Sequence, residues 1–173
     1  MTGMAARRAT RVAGPRALNP KLPPGLTLGQ RTASVISWVE GKPGSAGTLF
    51  CARRGSPPIA AIYKVKGKMF AIVAVRGGEN VILKCDPELV PALKDQYKGV
   101  GHRSHLDQRF WICVSLDADV PVSQIKRLIS RSYELVCAGL TRKQQAELAE
   151  LAKAWDVSRR SSRSRASRPA RTP

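Results

Sequence analysis

The sequence predicts an α+β fold: an antiparallel β-sheet with helices packed on one face. Three observations predict it. From Ile59 to Cys85, three strand-like runs follow one another with only tight turns between them, and strands joined so closely must run antiparallel. Beyond residue 121 the apolar residues recur at helical spacing instead. From Ile59 the order reads β-β-β-α-β-α-α, so the helices cover a sheet rather than alternate with its strands.

Ahead of Ile59 the pattern is weak. "QRTASVISWVE" predicts a short helix with Val35, Ile36 and Val39 on one side and Gly41 as its stop. "GKPGSAGTLFCARRGSPP" reads as loop with a brief strand at Thr48–Ala52. In "IAAIYKVKGK", Ile59, Ala61, Tyr63 and Val65 alternate with Lys64 and Lys66, giving one apolar and one basic face. Gly67 marks a turn, and "KMFAIVAV" is apolar on both faces, as a central strand is. "RGGEN" is a hairpin turn, and "VILKC" a third strand with Val81, Leu83 and Cys85 facing alike.

"DPELVPALKDQY" predicts a short helix with Asp86 as N-cap and Pro87 at its first position, ending before Gly99. A loop holding both histidines, His102 and His105, leads into a strand at Arg109–Leu116. A long helix then starts near Pro121 or Ser123. It turns Ile125, Leu128, Ile129, Ser132 and Val136 to the core, with Lys126, Arg127, Arg131 and Glu134 outward. "LTRKQQAELAELAKAW" is a last helix, with Thr141 as N-cap and a sparse stripe of Leu148, Leu151 and Trp155.

Net charge is +18 and divides along the chain: +5 in residues 1–24, +8 in 25–155 and +5 in 156–173. The predicted folded part is itself basic, which favours a polyanionic partner. The division predicted is a disordered basic tail over 1–28, one α+β domain over 29–155 and a disordered Ser/Arg-rich tail over 156–173. The acid-free N-terminus also has the composition of a transit peptide. No apolar run approaches the roughly 18 residues that span a bilayer and no secretory signal is visible, so the expected compartment is the cytoplasm. Cys51, Cys85, Cys113 and Cys137 stand singly, the pattern of reduced thiols packed as small apolar groups.

Chemistry-bearing constellations are scarce. His102, His105, Asp107 and Cys113 cluster in sequence, but structural zinc sites draw ligands from two tight pairs and no second pair exists. Cys113 with His105 lacks an oxyanion turn, and neither a phosphate-binding nor a dinucleotide-binding glycine motif is present. The expectation is a non-catalytic protein without metal, cofactor or small-molecule substrate, of undetermined oligomeric state.

Four motifs in series, "YKVKGKMFAI", "VILKCDPE", "HLDQRFWICVSLD" and "LISRSYELVCAGLTRKQ", resemble the MmcQ/YjbR family of small bacterial proteins, over about Ile59 to Gln145. The resemblance implies a frataxin-like (CyaY-like) α+β sandwich, compared also with a double-wing DNA-binding arrangement, and a DNA-binding role. Where the family commonly has His-Leu/Met-Asn-Lys-x-x-Trp, this chain has His105, Leu106, Asp107, Gln108 and Trp111. An anion gained and a cation lost weaken a phosphate contact. The family's opening helix and Leu-Pro-Gly turn are not matched well before Ile59.

Charge and resemblance together name the expected contacts to double-stranded DNA. They are Lys64, Lys66 and Lys68 on the first hairpin, Arg76 at the second, His105 and Arg109 flanking the loop, and Arg142 and Lys143 at the last helix. No Asn/Arg-rich recognition helix is visible, so weak sequence selectivity is expected. The alternative is a protein-interaction module whose basic charge is incidental, with strand lysines that only keep a solvated face soluble.

Overall fold

Val65 and Lys68 pair across a two-residue turn whose members, Lys66 and Gly67, both have positive φ, 48° and 79°. Left-handed geometry at both positions matches the right-handed twist of a tight hairpin, and glycine adopts it without a Cβ clash. This hairpin lies within the sheet of the computed structural model, which describes residues 22–23, 26–102 and 105–166, with side chains through residue 157.

The elements are α1 (Gln30–Glu40), β1 (Ser45–Cys51), β2 (Pro58–Val65), β3 (Lys68–Ala74), β4 (Asn80–Lys84), α2 (Leu89–Gln96), β5 (Val100–Gly101), β6 (Trp111–Ser115), α3 (Val122–Ala138) and α4 (Arg142–Ala166). All strand pairs are antiparallel, in the order β1-β2-β3-β4-β6-β5. The fold is thus the α+β arrangement expected.

One face of the sheet builds the core. Ala61, Ala71, Val73, Val81 and Leu83 are fully buried there with Tyr63 and Val114. Against them lie Val35 and Val39 of α1 and Ile125, Ile129 and Val136 of α3. Tyr63 keeps its hydroxyl satisfied by donating to Glu40 Oε1 at 3.1 Å. α3 is also stitched to the sheet by a buried hydroxyl. Ser132 Oγ accepts from the Lys84 N–H at 2.8 Å and donates to the Phe70 carbonyl at 2.5 Å. It stands where a bulge between Tyr63 and Lys64 has pushed the β2–β3 register out of step.

α1 spans the residues expected of it. α3 buries the five positions its periodicity assigns to the core. α4 begins on a capping box: Gln144 N–H donates to Thr141 Oγ1, and Thr141 N–H donates to Gln144 Oε1. Five elements differ from expectation, the first being β6, which runs Trp111–Ser115 rather than Arg109–Leu116 and leaves Arg109 in the turn before it. β1 is a seven-residue strand rather than a brief one, because pairing with β2 along its whole length overrides a Gly/Ser-rich sequence. α2 starts at Leu89, not Pro87, and Asp86 makes no side-chain cap; its carboxylate instead pairs with Arg131 at 2.8 Å. β5 is a two-residue edge strand carrying no local signal.

The last difference is α4, whose helix continues to Ala166 through Ser/Arg-rich sequence expected to be a tail from residue 156. At the other terminus, most of 1–28 falls outside the described residues. Leu22, Leu26 and Leu28 nevertheless pack against the core and extend the folded part ahead of residue 29.

Candidate nucleic-acid interface

The eight expected contact residues divide between two ends of the sheet. The β2–β3 turn, the end of β4 and the start of β6 all lie at one end, since Lys84 pairs with Trp111. The α3–α4 junction lies there too. Lys68 Nζ donates to the Gly139 carbonyl at 2.5 Å, and Lys66 Nζ meets Glu147 Oε2 at 2.6 Å. Lys64, Lys66, Lys68, Arg142 and Lys143 are thereby gathered, and the loop bearing His105 and Arg109 enters β6 at the same end. Arg76 is not among them. It follows the far end of β3, about 20 Å away along the strand at a rise of about 3.3 Å per residue.

Not all of these cations are equally available. Lys68 neutralises the carbonyl end of α3, where a cation is favoured by the helix dipole. Lys66 depresses the Glu147 carboxyl below its ordinary range through their hydrogen bond. Lys64, on β2, is exposed.

Arg109 is held by its neighbour. Its Nη2 lies 2.7 Å from Asp107 Oδ2, its Nε reaches both carboxylate oxygens, and its backbone N–H donates to Oδ1 at 3.0 Å. These bonds pull the Asp107 carboxyl down to about 2. The guanidinium also lies over the Phe110 ring, 5.4 Å from its centroid. The anion that distinguishes this loop therefore covers the nearest cation.

Arg76 lies on a cleft of about 440 Å³ formed by the Gly77-Gly78 turn, Leu26–Gly29 and Thr32 of α1. Gly77 and Gly78 have φ of 81° and 140°. The N-terminus of α1 points here without a side-chain cap, but a Cβ on Gly29 would overlap the Glu79 carboxylate. The protein's own carboxylate thus lies against Gly29, the residue that precedes α1.

Sequence reasoning missed Lys84. It faces away from the core beside its ladder partner Trp111, and the alternation within "VILKC" already separates it from Val81, Leu83 and Cys85. It also left open what lies on the outward face of the sheet, where described residues place no helix: α1 and α3 are both on the core side.

Comparison with known proteins bears on this arrangement. The YjbR family model matches residues 44–135, just over half of the 173 residues, and takes in all six strands. The chain is 38% identical over 76 residues to "Uncharacterized protein YjbR" of Escherichia coli strain K12, covering 43% of this chain and 64% of that protein. It is 27% identical over 85 residues to "Uncharacterized protein YbdF" of Escherichia coli O157:H7, covering 49% of this chain and 70% of that one. The match thus spans just under two thirds of the first relative's length. A crystal structure of a Deinococcus radiodurans protein with a DUF419 domain superposes with a TM-score of 0.60 at 26% identity, over 68% of this chain and 86% of that one.

Proposed function

Because the chain belongs to the YjbR family, we propose that it is a non-catalytic DNA-binding protein, holding duplex DNA mainly through phosphates with weak sequence selectivity. The observation that carries the reading is the gathering of Lys64, Lys66, Lys68, Arg142 and Lys143 at one end of the sheet, in a chain of net charge +18. Ammonium groups around a hairpin and a helix start suit a phosphate backbone, whose charges recur along either strand whatever the bases. Glu147 does not block this. An exposed ion pair such as Lys66–Glu147 is worth about 0–1 kcal/mol, so a phosphate displaces it at little cost. The proposal places the protein in the cytoplasm with its DNA; no helix among the described residues is long and apolar enough to cross a membrane.

The test is a titration of the full chain with two duplexes of unrelated sequence across a salt series. Log K should fall linearly with log salt, at a slope of about −0.9 per phosphate contacted and equally for both duplexes. Replacing Lys64, Arg142 and Lys143 together by Glu should flatten that slope by at least about 0.9 for each phosphate no longer neutralised. A salt-independent affinity, or one unchanged in the triple variant, refutes the reading.

A further inference from the structure

An antiparallel sheet with helices on one face usually presents polar side chains on the other. This one does not. The ladder sets Ile62 opposite Ile72 and Ile72 opposite Ile82, a row of isoleucines across three adjacent strands on the face away from the core. Ala60 and Ala74 form a second apolar pair beside it, with Phe50 opposite Ala60 on β1. Each of the three isoleucines is half-buried by its neighbours and open above, and Phe50 is 47% exposed. Trp111, partly exposed, closes the face at β6. A contiguous apolar surface of this kind marks a binding surface.

Charge on the face indicates what it binds. The outward strand positions include Lys64 and Lys84, and no Asp or Glu stands among them. Apolar rows between two aromatic rings, with ammonium groups and no carboxylate, match a chain of flat apolar rings on an anionic backbone. Duplex DNA does not fit this description, since its base faces are stacked inside. From β1 to β6 there are four strand spacings of about 4.8 Å, and Trp111 lies four residues along the strands from the Phe50 rung, so the two rings are separated by about 19 Å across the sheet and about 13 Å along it, roughly 23 Å in all. That span suits a short stretch of several nucleotides, at the lower end of the ~4–16 known for sheet-based single-strand sites.

We propose that the open face of the sheet binds single-stranded nucleic acid, with bases on the Ile62-Ile72-Ile82 row and against Trp111 and Phe50, and phosphates at Lys64 and Lys84. The inference rests on the phosphate-binding reading above for the role of Lys64. It adds a second surface and a second ligand to that reading.

The full chain is titrated with a labelled oligothymidylate of about 15 nucleotides, within the site sizes above, and separately with a duplex, while tryptophan fluorescence is followed. The oligothymidylate should bind and quench the fluorescence. Trp111→Ala should weaken it by about five- to hundredfold, the loss expected for one stacked base. Ile72→Gln should weaken it too, and neither change should alter duplex affinity. If circular dichroism shows Trp111→Ala to be unfolded, Phe50→Ala carries the same comparison from an exposed position.

Duplex binding that survives while the single strand is ignored, or is held equally well by every variant, overturns the face and leaves the duplex reading standing. Failure to bind either nucleic acid removes both readings. Polyglutamate that displaces the strand at equal charge concentration and quenches the same fluorescence also overturns the proposal, because the face is then an acidic-protein dock.

Discussion

Asp107 engages the side chain of Arg109 through Nε and a terminal guanidinium N–H, and its backbone through the amide. Sequence alone shows an anion at Asp107 two residues before Arg109; it does not show which cation that anion would cover, because two residues of a loop are free to point apart. The geometry makes the consequence specific. Asp107→Asn should release Arg109 to a phosphate, raising duplex affinity several-fold and steepening the salt slope by about 0.9. An unchanged slope would mean that Arg109 never reaches the backbone. The same bonds set a pH window. The Asp107 carboxyl is lowered from 3.8 to about 2, so its stabilisation is complete above the ordinary value and is lost as pH falls through about 2. Carbon-detected NMR titration should put the Asp107 midpoint near 2, and Arg109→Gln should return it toward 3.8.

Helical elements were the most legible, because their signal is repeated within one segment. Ile125, Leu128, Ile129, Ser132 and Val136 recur at helical spacing, and α3 buries all five. β1 and β5 were not legible in the same way: the strand character of each comes from pairing with the strand that follows it, β2 for one and β6 for the other, rather than from its own residues. Ser132 shows the boundary between the two kinds of information. Its place on the buried face follows from periodicity, whereas its partners on β3 and β4 follow from a register shift that no local pattern announces. Ser132→Ala removes one hydroxyl and strands two backbone groups, the part-buried Lys84 N–H and the buried Phe70 carbonyl. An unsatisfied buried group costs about 1–3 kcal/mol, so urea unfolding at neutral pH should show a loss of about 2 kcal/mol or more. A loss below about 0.5 kcal/mol would mean that the strands close the gap themselves.

At the scale of the whole molecule, the sheet direction decides how the charges act together. The alternation of Lys64 and Lys66 with apolar residues is visible in the sequence, and three antiparallel strands in series put the turns bearing Lys66 and Arg76 at opposite ends; what the sequence does not show is that the α3–α4 junction meets the Lys66 end. β3 spans about 20 Å from Lys68 to Ala74 at about 3.3 Å per residue, and Arg76 lies two residues beyond its end. One duplex touching both ends must run along the strands, and at about 3.4 Å per base pair it needs roughly six to seven base pairs to do so. A duplex shorter than that, held by the Lys64–Arg142 end, should bind the Arg76→Glu variant and the wild type alike. A duplex of about 20 base pairs should lose affinity on Arg76→Glu, with its salt slope flattened by about 0.9 or more. Equal sensitivity at both lengths would mean that Arg76 lies at the primary contact rather than a strand-length from it. No sensitivity at either length would confine the interface to the end where β2, β3, α3 and α4 meet, with Arg76 left to the cleft it lines with Glu79 beside α1.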